Sequence, residues 1–217
     1  MNEDLIYVGL RNGLVKTLIE IGIRDVGVLK AISKIPRQLF VPKGLEQKAY
    51  DNRPLAIWAE QTISQPVTLA IQTELLEVHP EDKILEIGTG SGYQAAVLAE
   101  MNAEVYTIER QRELYLKSKE ILTRLKYRIA WQHWGDGYEG NETFAPFDKI
   151  LITAAVPKIP VKLLQQLKTG GRMVAPVGAG NTQKMTVIDK ISENRYESAY
   201  IDNKTFSFVP MLAGCDE

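Results

Sequence analysis

Cysteine is almost absent from this sequence. The only cysteine among the 217 residues is Cys215, close to the carboxyl end. A lone thiol can form neither a disulfide framework nor a thiolate metal site within one chain. We therefore expect a cytoplasmic protein that holds no metal.

An excess of one charge is also missing. The 26 Lys and Arg residues nearly balance the 27 Asp and Glu residues, and no basic cluster stands out. Nucleic-acid binding depends on clustered positive charge, so we expect no nucleic-acid partner. The sequence also lacks a phosphate-binding loop that ends in Gly-Lys-Ser or Gly-Lys-Thr, which disfavours kinases and nucleotidases.

Long apolar runs are absent too. No window reaches the roughly 18 uninterrupted apolar residues of a membrane span. Residues 1–4 include two acidic side chains and lead into an amphipathic pattern, whereas a signal peptide has an apolar core. We expect neither secretion nor a membrane partner, and we expect the protein to act as a monomer.

The apolar residues that are present suit one globular unit. They make up 45% of the chain, which is enough for one sizeable core. Helical spacing predicts a helix from Leu5 to Ile21. A second helix is predicted after Asp25 as its N-cap and ends before Pro36, and a third starts at Pro66. Residues 37–65 are predicted to be turns and loops, and this length favours a binding role.

Beyond residue 80 the pattern alternates between strands and helices. Strands are predicted near 83–87, 104–108, 128–133, 148–153 and 172–177, and helices near 91–101, 111–125 and 160–168. Such alternation is typical of a mostly parallel, doubly wound α/β sheet. Three β-rich pieces are then expected to finish the sheet as antiparallel strands, near 185–191, 196–201 and 205–209.

Three alternating glycines follow the first of these strands, in the segment from Ile84 to Gln94. Gly88, Gly90 and Gly92 let the backbone turn sharply and bring bare N–H groups close to a ligand at the start of the next helix. A dinucleotide site needs glycine at the sixth position of the motif, which here is Tyr93. The turn therefore predicts a nucleotide-type cofactor and leaves NAD as the weaker alternative.

Acidic residues lie at or just after the ends of three predicted strands. Glu86 precedes the glycine turn, Glu109 can accept hydrogen bonds from ribose hydroxyls, and Asp136 between two glycines can accept one from an exocyclic amine. Two of these residues also have a purely structural interpretation, because Glu109 suits the first turn of a helix and Asp136 suits a turn. Together they predict an adenosine site. A second glycine pattern at 135–140 precedes a segment too short for a helix, so we regard it as accidental.

Further sequence motifs are distributed over most of the chain. They are Pro36-Arg37, Phe40-Val41-Pro42, Gln61-Thr62-Ile63-Ser64-Gln65-Pro66, Thr153-Ala154-Ala155, Val174-Ala175-Pro176-Val177-Gly178 and Phe208-Val209-Pro210-Met211. With the glycine turn, they resemble the protein-L-isoaspartate O-methyltransferases, which methylate age-damaged aspartyl sites in proteins. The segments that begin at Thr62 and at Thr153 are the most specific.

The resemblance implies a Rossmann-like S-adenosylmethionine-dependent methyltransferase fold, with N-terminal helices and antiparallel C-terminal strands. It implies a single domain, 1–217, with helices and a substrate loop at 1–65, a cofactor-binding core at 66–180 and strands at 181–217. The implied cofactor is S-adenosyl-L-methionine, and the implied partners are proteins and peptides that contain isoaspartyl, and also D-aspartyl, residues. Implied cofactor contacts are Glu86, Gly88, Thr89, Gly90, Ser91, Gly92, Glu109, Arg110, Asp136 and Gly137. Implied substrate contacts are Thr62, Ile63, Ser64, Thr153, Ala154, Ala155 and Val209, with Ser64 as the active-site serine.

One departure from the family lies just before Ser64. Family members usually have an Ile-Gly-x-Gly-Gln pattern there, whereas this chain has Trp58 and Glu60 at the glycine positions. Either these two side chains pack on the surface and point to water, or they reshape the acceptor site. The second interpretation leaves open a methyltransferase with another substrate. A non-enzymatic module that senses the cofactor is a third hypothesis.

Carboxyl methylation needs no strong base, because a carboxyl group with a pKa of about 3.9 is already ionised near neutral pH. We therefore expect His79 and His133 to be structural. Ser64 is expected to hold the substrate carboxylate in line with the methyl group. The alternative is that Ser64 only caps the helix that begins at Pro66.

Overall fold

A seven-stranded sheet forms the centre of the protein. The structure is a computed structural model that describes residues 5–201 and 204–216. The expectation that the chain carries no signal peptide concerns residues 1–4, which lie outside the described residues. The strands are β1 (Leu55–Ala56), β2 (Thr62–Ile63), β3 (Lys83–Ile87), β4 (Glu104–Glu109), β5 (Trp131–Trp134), β6 (Phe147–Ile152), β7 (Leu167–Val177), β8 (Lys184–Ser192) and β9 (Arg195–Tyr200). The sheet order is β5-β4-β3-β6-β7-β8-β9, while β1 and β2 form a separate hairpin.

Strands β3 to β7 pair in parallel, and β8 and β9 complete the sheet in antiparallel pairing. The helices are α1 (Leu5–Ile21), α2 (Val26–Lys34), α3 (Pro66–Leu76), α4 (Tyr93–Glu100), α5 (Arg112–Arg124) and α6 (Val161–Gln165). This is the predicted Rossmann-like α/β architecture. Among the described residues, no helix combines the length and the apolar character that a membrane crossing requires.

Several local predictions are confirmed. Asp25 caps α2, since its carboxylate accepts a hydrogen bond from the Val28 N–H at 3.0 Å. Pro66 occupies the first turn of α3, as predicted. The helix predicted at 160–168 is shorter, because β7 already begins at Leu167.

Two predictions about the connecting segments are wrong. Residues 37–65 are not only loop, since they contain two short 3₁₀ helices (Arg37–Phe40 and Gln47–Tyr50) and the β1–β2 hairpin. Residues 205–209 do not form a strand. There Phe206 makes an isolated bridge to Gln183, and the segment then crosses to Ala155 instead of following one strand.

Both faces of the parallel strands are buried. Ile84 of β3 packs in a cluster with Leu18 and Ile32 of the N-terminal helices. Its neighbour Leu85 packs on the opposite face, in a cluster with Leu163 of α6. Strand β3 pairs in parallel with β4 on one side and with β6 on the other, so the order in which strands are added to the sheet reverses at β3. Ligands in such sheets bind beyond the carboxyl ends of the strands at this switch point.

Candidate active site

The glycine turn begins where β3 ends. Gly88 has a φ of +94°, and a methyl group on it would lie 2.6 Å from the Thr153 hydroxyl oxygen. That hydroxyl lies 2.9 Å and 2.7 Å from the main-chain oxygens of Ile87 and Gly88. Gly90 has a φ of +53°, and a methyl group there would meet nothing within 4 Å. Thr153 therefore fixes one end of the turn, while Gly90 faces open space.

Glu109 lies at the end of β4 with its carboxylate beside the glycine turn. One carboxylate oxygen accepts a hydrogen bond from the Gly90 N–H at 2.8 Å, and the other accepts one from the Gln111 N–H at 2.9 Å. Burial raises the pKa of Glu109, and these main-chain hydrogen bonds oppose that shift. A carboxylate offers about four acceptor positions, so acceptor capacity remains for a ligand.

Glu86 is fully buried within β3 and does not line the cavity. One of its carboxylate oxygens accepts a hydrogen bond from the Thr107 hydroxyl at 2.5 Å, and that hydroxyl lies 2.6 Å from the Thr89 hydroxyl. Its other oxygen has no hydrogen-bond partner among the described residues. Burial raises the pKa of Glu86 to about 8. Glu86 thus reaches the glycine turn only through the two threonines.

Asp136 is also not among the residues that line the cavity. Its carboxylate accepts hydrogen bonds from the Tyr138 N–H at 2.8 Å and the Gly214 N–H at 2.7 Å. Close by, Arg110 forms a two-pronged ion pair with Asp216, at 2.5 and 2.6 Å. The C-terminal segment is therefore fastened across the predicted adenosine site.

A cavity of about 320 Å³ lies beyond the carboxyl ends of β3, β4 and β6. It brings together most of the predicted cofactor contacts, which are Gly88, Thr89, Gly90, Ser91, Glu109, Arg110 and Gly137. Gly92 is not among its lining residues. A methyl group on Gly92 would lie 3.2 Å from Ser118 and Leu122 of α5, so this glycine serves helix packing.

A second cavity, of about 490 Å³, adjoins the first. The two cavities share four lining residues, Thr62, Ser64, Thr153 and Val209. Ile63 and Ala154 line the first cavity only, and Ala155 lines neither. Instead, the main chain of Ala155 exchanges hydrogen bonds with the main chains of Val209 and Met211, at 2.8 Å each. Ala155 therefore anchors the C-terminal segment against the site.

Ser64 sits at the boundary between the two cavities. It does not cap α3, because Gln65 occupies the N-cap position and no side chain caps that helix. Within the described part of the chain, the Ser64 hydroxyl has no hydrogen-bond partner, whereas its main-chain oxygen accepts a hydrogen bond from Arg37 at 2.7 Å. The hydroxyl is thus available to a ligand.

The β1–β2 hairpin forms the rim of the first cavity. Its two turn residues, Ala59 and Glu60, have φ values of +53° and +56°. The turn is closed by a hydrogen bond from the Gln61 N–H to the Trp58 oxygen at 3.2 Å. Such turns usually contain glycine or asparagine, because positive φ strains other residues. Trp58 packs on the core, with the Lys117 ammonium 5.5 Å from its ring, while Glu60 is exposed at the rim.

Sequence reasoning missed several cavity residues. Gln72 of α3 and Gln94 of α4 line the first cavity, as do Leu114, Met211 and Leu212. The two glutamines had a recognisable signal, since each is a polar residue on a predominantly apolar helix face. The three apolar residues had no such signal, because an apolar residue in the core and one in a cavity wall look alike in sequence.

The predicted structural histidines lie outside both cavities. His79 is exposed beyond α3, and His133 stacks on Trp131 with ring centroids 4.7 Å apart. No group of three or more His, Cys, Asp or Glu side chains could hold a metal ion within residues 5–201 and 204–216.

The fold and the site define an S-adenosylmethionine-dependent methyltransferase. Open space at Gly90 and the spare acceptor positions of buried Glu109 fit an adenosine with two ribose hydroxyls. The chain belongs to the protein-L-isoaspartate(D-aspartate) O-methyltransferase family, whose model matches residues 10–215.

Curated relatives match nearly the whole chain. The protein-L-isoaspartate O-methyltransferase of Flavobacterium psychrophilum is 50% identical over 212 residues, and that of Christiangramia forsetii is 48% identical over 212 residues. In both comparisons the match covers 98% of this chain and 98% of the relative.

Solved structures match the chain in fold. A protein-L-isoaspartate O-methyltransferase structure matches with a TM-score of 0.83 and 28% identity, covering 92% of this chain and 65% of that one. A Plasmodium falciparum structure, described as a putative member of the same family in complex with S-adenosyl-L-homocysteine, matches in fold with a TM-score of 0.79. It is 24% identical, and the match covers 92% of this chain and 97% of that one.

Proposed function

We propose that this protein transfers a methyl group from S-adenosylmethionine to the free carboxyl of L-isoaspartyl residues in damaged proteins, and also to that of D-aspartyl residues. The observation that carries the proposal is the meeting of two cavities at Ser64. One cavity has the adenosine-binding features, and the other reaches the protein surface at the exposed residues Lys204, Thr205 and Ser207. Family membership supports this choice of acceptor.

The cofactor-facing part of the site uses hydrogen-bond acceptors and apolar walls. Glu109 binds the ribose hydroxyls, and the main-chain N–H groups of the glycine turn contact the rest of the cofactor. Ile108 and Leu114 supply apolar surface beside the adenosine. Arg110 and Gly137 contribute to the same wall. When bound, the cofactor supplies a methyl group on a positively charged sulfur.

Three predicted cofactor residues act from behind this wall. Glu86 holds Thr89 through Thr107, and Gly92 allows α4 to approach α5. Asp136 fastens the C-terminal segment at Gly214. We propose that these residues shape the cofactor site without direct contact.

On the acceptor side, Ser64 donates its hydroxyl hydrogen to one oxygen of the substrate carboxylate. That hydrogen bond holds the other oxygen in line with the methyl group, and alignment of this kind lowers the barrier substantially. Thr62, Ile63, Thr153, Ala154 and Val209 surround the acceptor, and Ala155 holds Val209 in place. The reaction joins opposite charges into neutral products, so exclusion of water favours it.

A methyltransferase with a different acceptor is the second candidate. The observation that favours it is Glu60, which stands at the cavity rim in a strained turn. A carboxylate there repels an anionic acceptor, by about 1 kcal/mol at contact distance in water. This cost weakens binding of an isoaspartyl carboxylate without preventing it.

We further propose that residues 1–217 act as one domain, as a monomer and in the cytoplasm. One hydrophobic cluster joins α1 residues such as Leu14 to Phe206 near the end of the chain, which supports a single domain. The single cysteine and the balanced charge support a cytoplasmic protein without a nucleic-acid partner.

The test compares two peptides that differ only in an aspartyl or isoaspartyl linkage. Labelled methyl groups from S-adenosylmethionine are expected to appear only on the isoaspartyl peptide. Mild base should release the label as methanol, because the product is a methyl ester. Label that resists base, or equal transfer to both peptides, would favour the second candidate. Cofactor binding without any transfer would point to a sensing module.

A further inference from the structure

Arg37 is the most unusual buried side chain outside the two cavities. Its relative exposure is 0%, and it lines neither cavity. No acidic side chain pairs with it among residues 5–201 and 204–216. A buried cation without a carboxylate partner is unfavourable for stability, so packing alone is a weak reason for arginine at this position.

The guanidinium contacts three separate parts of the chain. Its Nε donates a hydrogen bond to the main-chain oxygen of Ala49 at 2.7 Å, and one terminal nitrogen donates to that of Ser64 at 2.7 Å. Its central carbon lies 4.5 Å from the centre of the Tyr93 ring. Tyr93 directly follows Gly92, begins α4 and lines the cofactor cavity. A single side chain therefore joins the serine to the end of the glycine turn.

The geometry of this group suits positioning. A guanidinium is planar and rigid, so hydrogen bonds from two of its nitrogens fix the directions of two carbonyl groups, and its face can stack on an aromatic ring. Lysine has one charged nitrogen on a flexible stem and cannot make all three contacts at once. Only arginine can hold Ala49, Ser64 and Tyr93 in one arrangement.

We propose that Arg37 is a positioning residue for methyl transfer, which sets the main chain of Ser64 relative to the cofactor turn. The inference rests on the proposed function, because it assumes that Ser64 orients the acceptor. Arg37 acts only through Ser64 and Tyr93. A misplacement of about 1 Å at a catalytic group can lower the rate by about 100-fold. Loss of Arg37 therefore lowers turnover more than it lowers cofactor affinity.

The experiment compares Arg37→Lys and Arg37→Gln with the wild-type protein. Cofactor affinity and the number of cofactor-binding sites are measured by calorimetry, and kcat for an isoaspartyl peptide is expressed per binding site. We expect kcat per site to fall by at least about 10-fold in both variants. The cofactor Kd should change by less than about threefold.

Lys190→Met provides the matched control. Like Arg37, Lys190 is a buried cation that lines neither cavity and donates to main-chain oxygens, those of Leu167 at 2.6 Å and Gln165 at 3.4 Å. Unlike Ser64 and Tyr93, neither Leu167 nor Gln165 lines a cavity. Its loss is expected to lower Tm while leaving kcat per binding site within about twofold. If the role of Arg37 is purely structural, its variants should also show a lower Tm and a nearly unchanged kcat per binding site. Unfolded molecules bind no cofactor and therefore do not enter the count of binding sites.

Each outcome has a defined meaning. An inactive wild-type protein would reject the proposed function, and this inference with it. An active wild type with kcat per site unchanged in the Arg37 variants would reject this inference alone. If neither Arg37 variant binds the cofactor, Arg37 is a folding residue and the inference is wrong.

Discussion

The proposed cofactor half and the proposed acceptor half of the site are built in different ways. The cofactor half comes from the ends of neighbouring parallel strands, with Gly88 after β3 and Glu109 at the end of β4. The acceptor half is assembled from segments far apart in sequence, around Ser64, Thr153 and Val209. Strand pairing therefore fixes the first half. Individual hydrogen bonds, such as those from Arg37 to Ser64 and from Ala155 to Val209, fix the second.

This difference predicts that the two halves can be damaged separately. Substitutions at the strand ends should weaken cofactor binding. Substitutions around Ser64 should slow transfer, or weaken peptide binding, while the cofactor still binds.

The largest effect is expected for Glu109→Ala. Loss of charge-assisted hydrogen bonds to the ribose should weaken cofactor binding by about 100-fold, or about 2.7 kcal/mol. Calorimetry measures the change. Glu104→Ala is the control, because Glu104 is exposed at the other end of the same strand. Equal affinity of Glu109→Ala and wild type would show that Glu109 does not bind the ribose.

Glu86 should make stability depend on pH. The pKa of this carboxyl is about 8 when folded and 4.5 ordinarily, so the folded state retains a proton that the unfolded state loses. Its stabilising contribution is complete below pH 4.5 and is lost as the pH rises through about 8. Glu86→Gln keeps the neutral form at every pH. Between pH 5 and pH 6.5, the unfolding free energy of Glu86→Gln should therefore rise relative to that of wild type by on the order of 2 kcal/mol.

Urea unfolding at both pH values measures this gain, and Glu104→Gln on the neighbouring strand serves as the control. A pH-independent difference between Glu86→Gln and wild type would mean that Glu86 is ionised in the folded protein.

Ser64→Ala tests the acceptor half. Removal of one orienting hydrogen bond should lower kcat by about 10-fold, or about 1.4 kcal/mol, and leave the cofactor Kd within about twofold. Steady-state kinetics with an isoaspartyl peptide measures kcat, and Ser198→Ala on the exposed edge strand β9 is the control. Unchanged turnover in Ser64→Ala would remove Ser64 from the mechanism.

The smallest effect is expected at the hairpin rim. Glu60→Gln removes a like charge near the acceptor carboxylate and should lower the peptide KM by about threefold, within the roughly 1 kcal/mol of an exposed pair. Glu60→Gly should lower KM equally and also relieve the positive φ of +56°, which raises Tm. The same KM in all three proteins would mean that Glu60 does not face the substrate.

The sequence predicted the strand that leads into the glycine turn better than the hairpin that precedes Ser64, for a physical reason. The strand before Gly88 and the carboxylate at Glu109 depend on local patterns of apolar and polar residues. The hairpin before Ser64 has Ala59 and Glu60 in a turn that usually requires glycine or asparagine, so its sequence gives no turn signal.

Long-range contacts explain the remaining differences. Asp136 accepts a hydrogen bond from Gly214, 78 residues away, and is not among the residues that line the first cavity. Glu86 is turned into the sheet, where Thr107 is its partner. The bridge from Phe206 to Gln183 replaces a predicted strand. None of these contacts has a spacing rule that a single sequence could reveal.

A crystal structure with S-adenosyl-L-homocysteine and an isoaspartyl peptide tests the central claim most directly. We predict that the ribose lies against Glu109 in the first cavity and the peptide in the second. The peptide carboxyl should lie within hydrogen-bond distance of the Ser64 hydroxyl, where the two cavities meet. A peptide carboxyl bound away from Ser64, or a cofactor outside the cavity beside Glu109, would contradict the account.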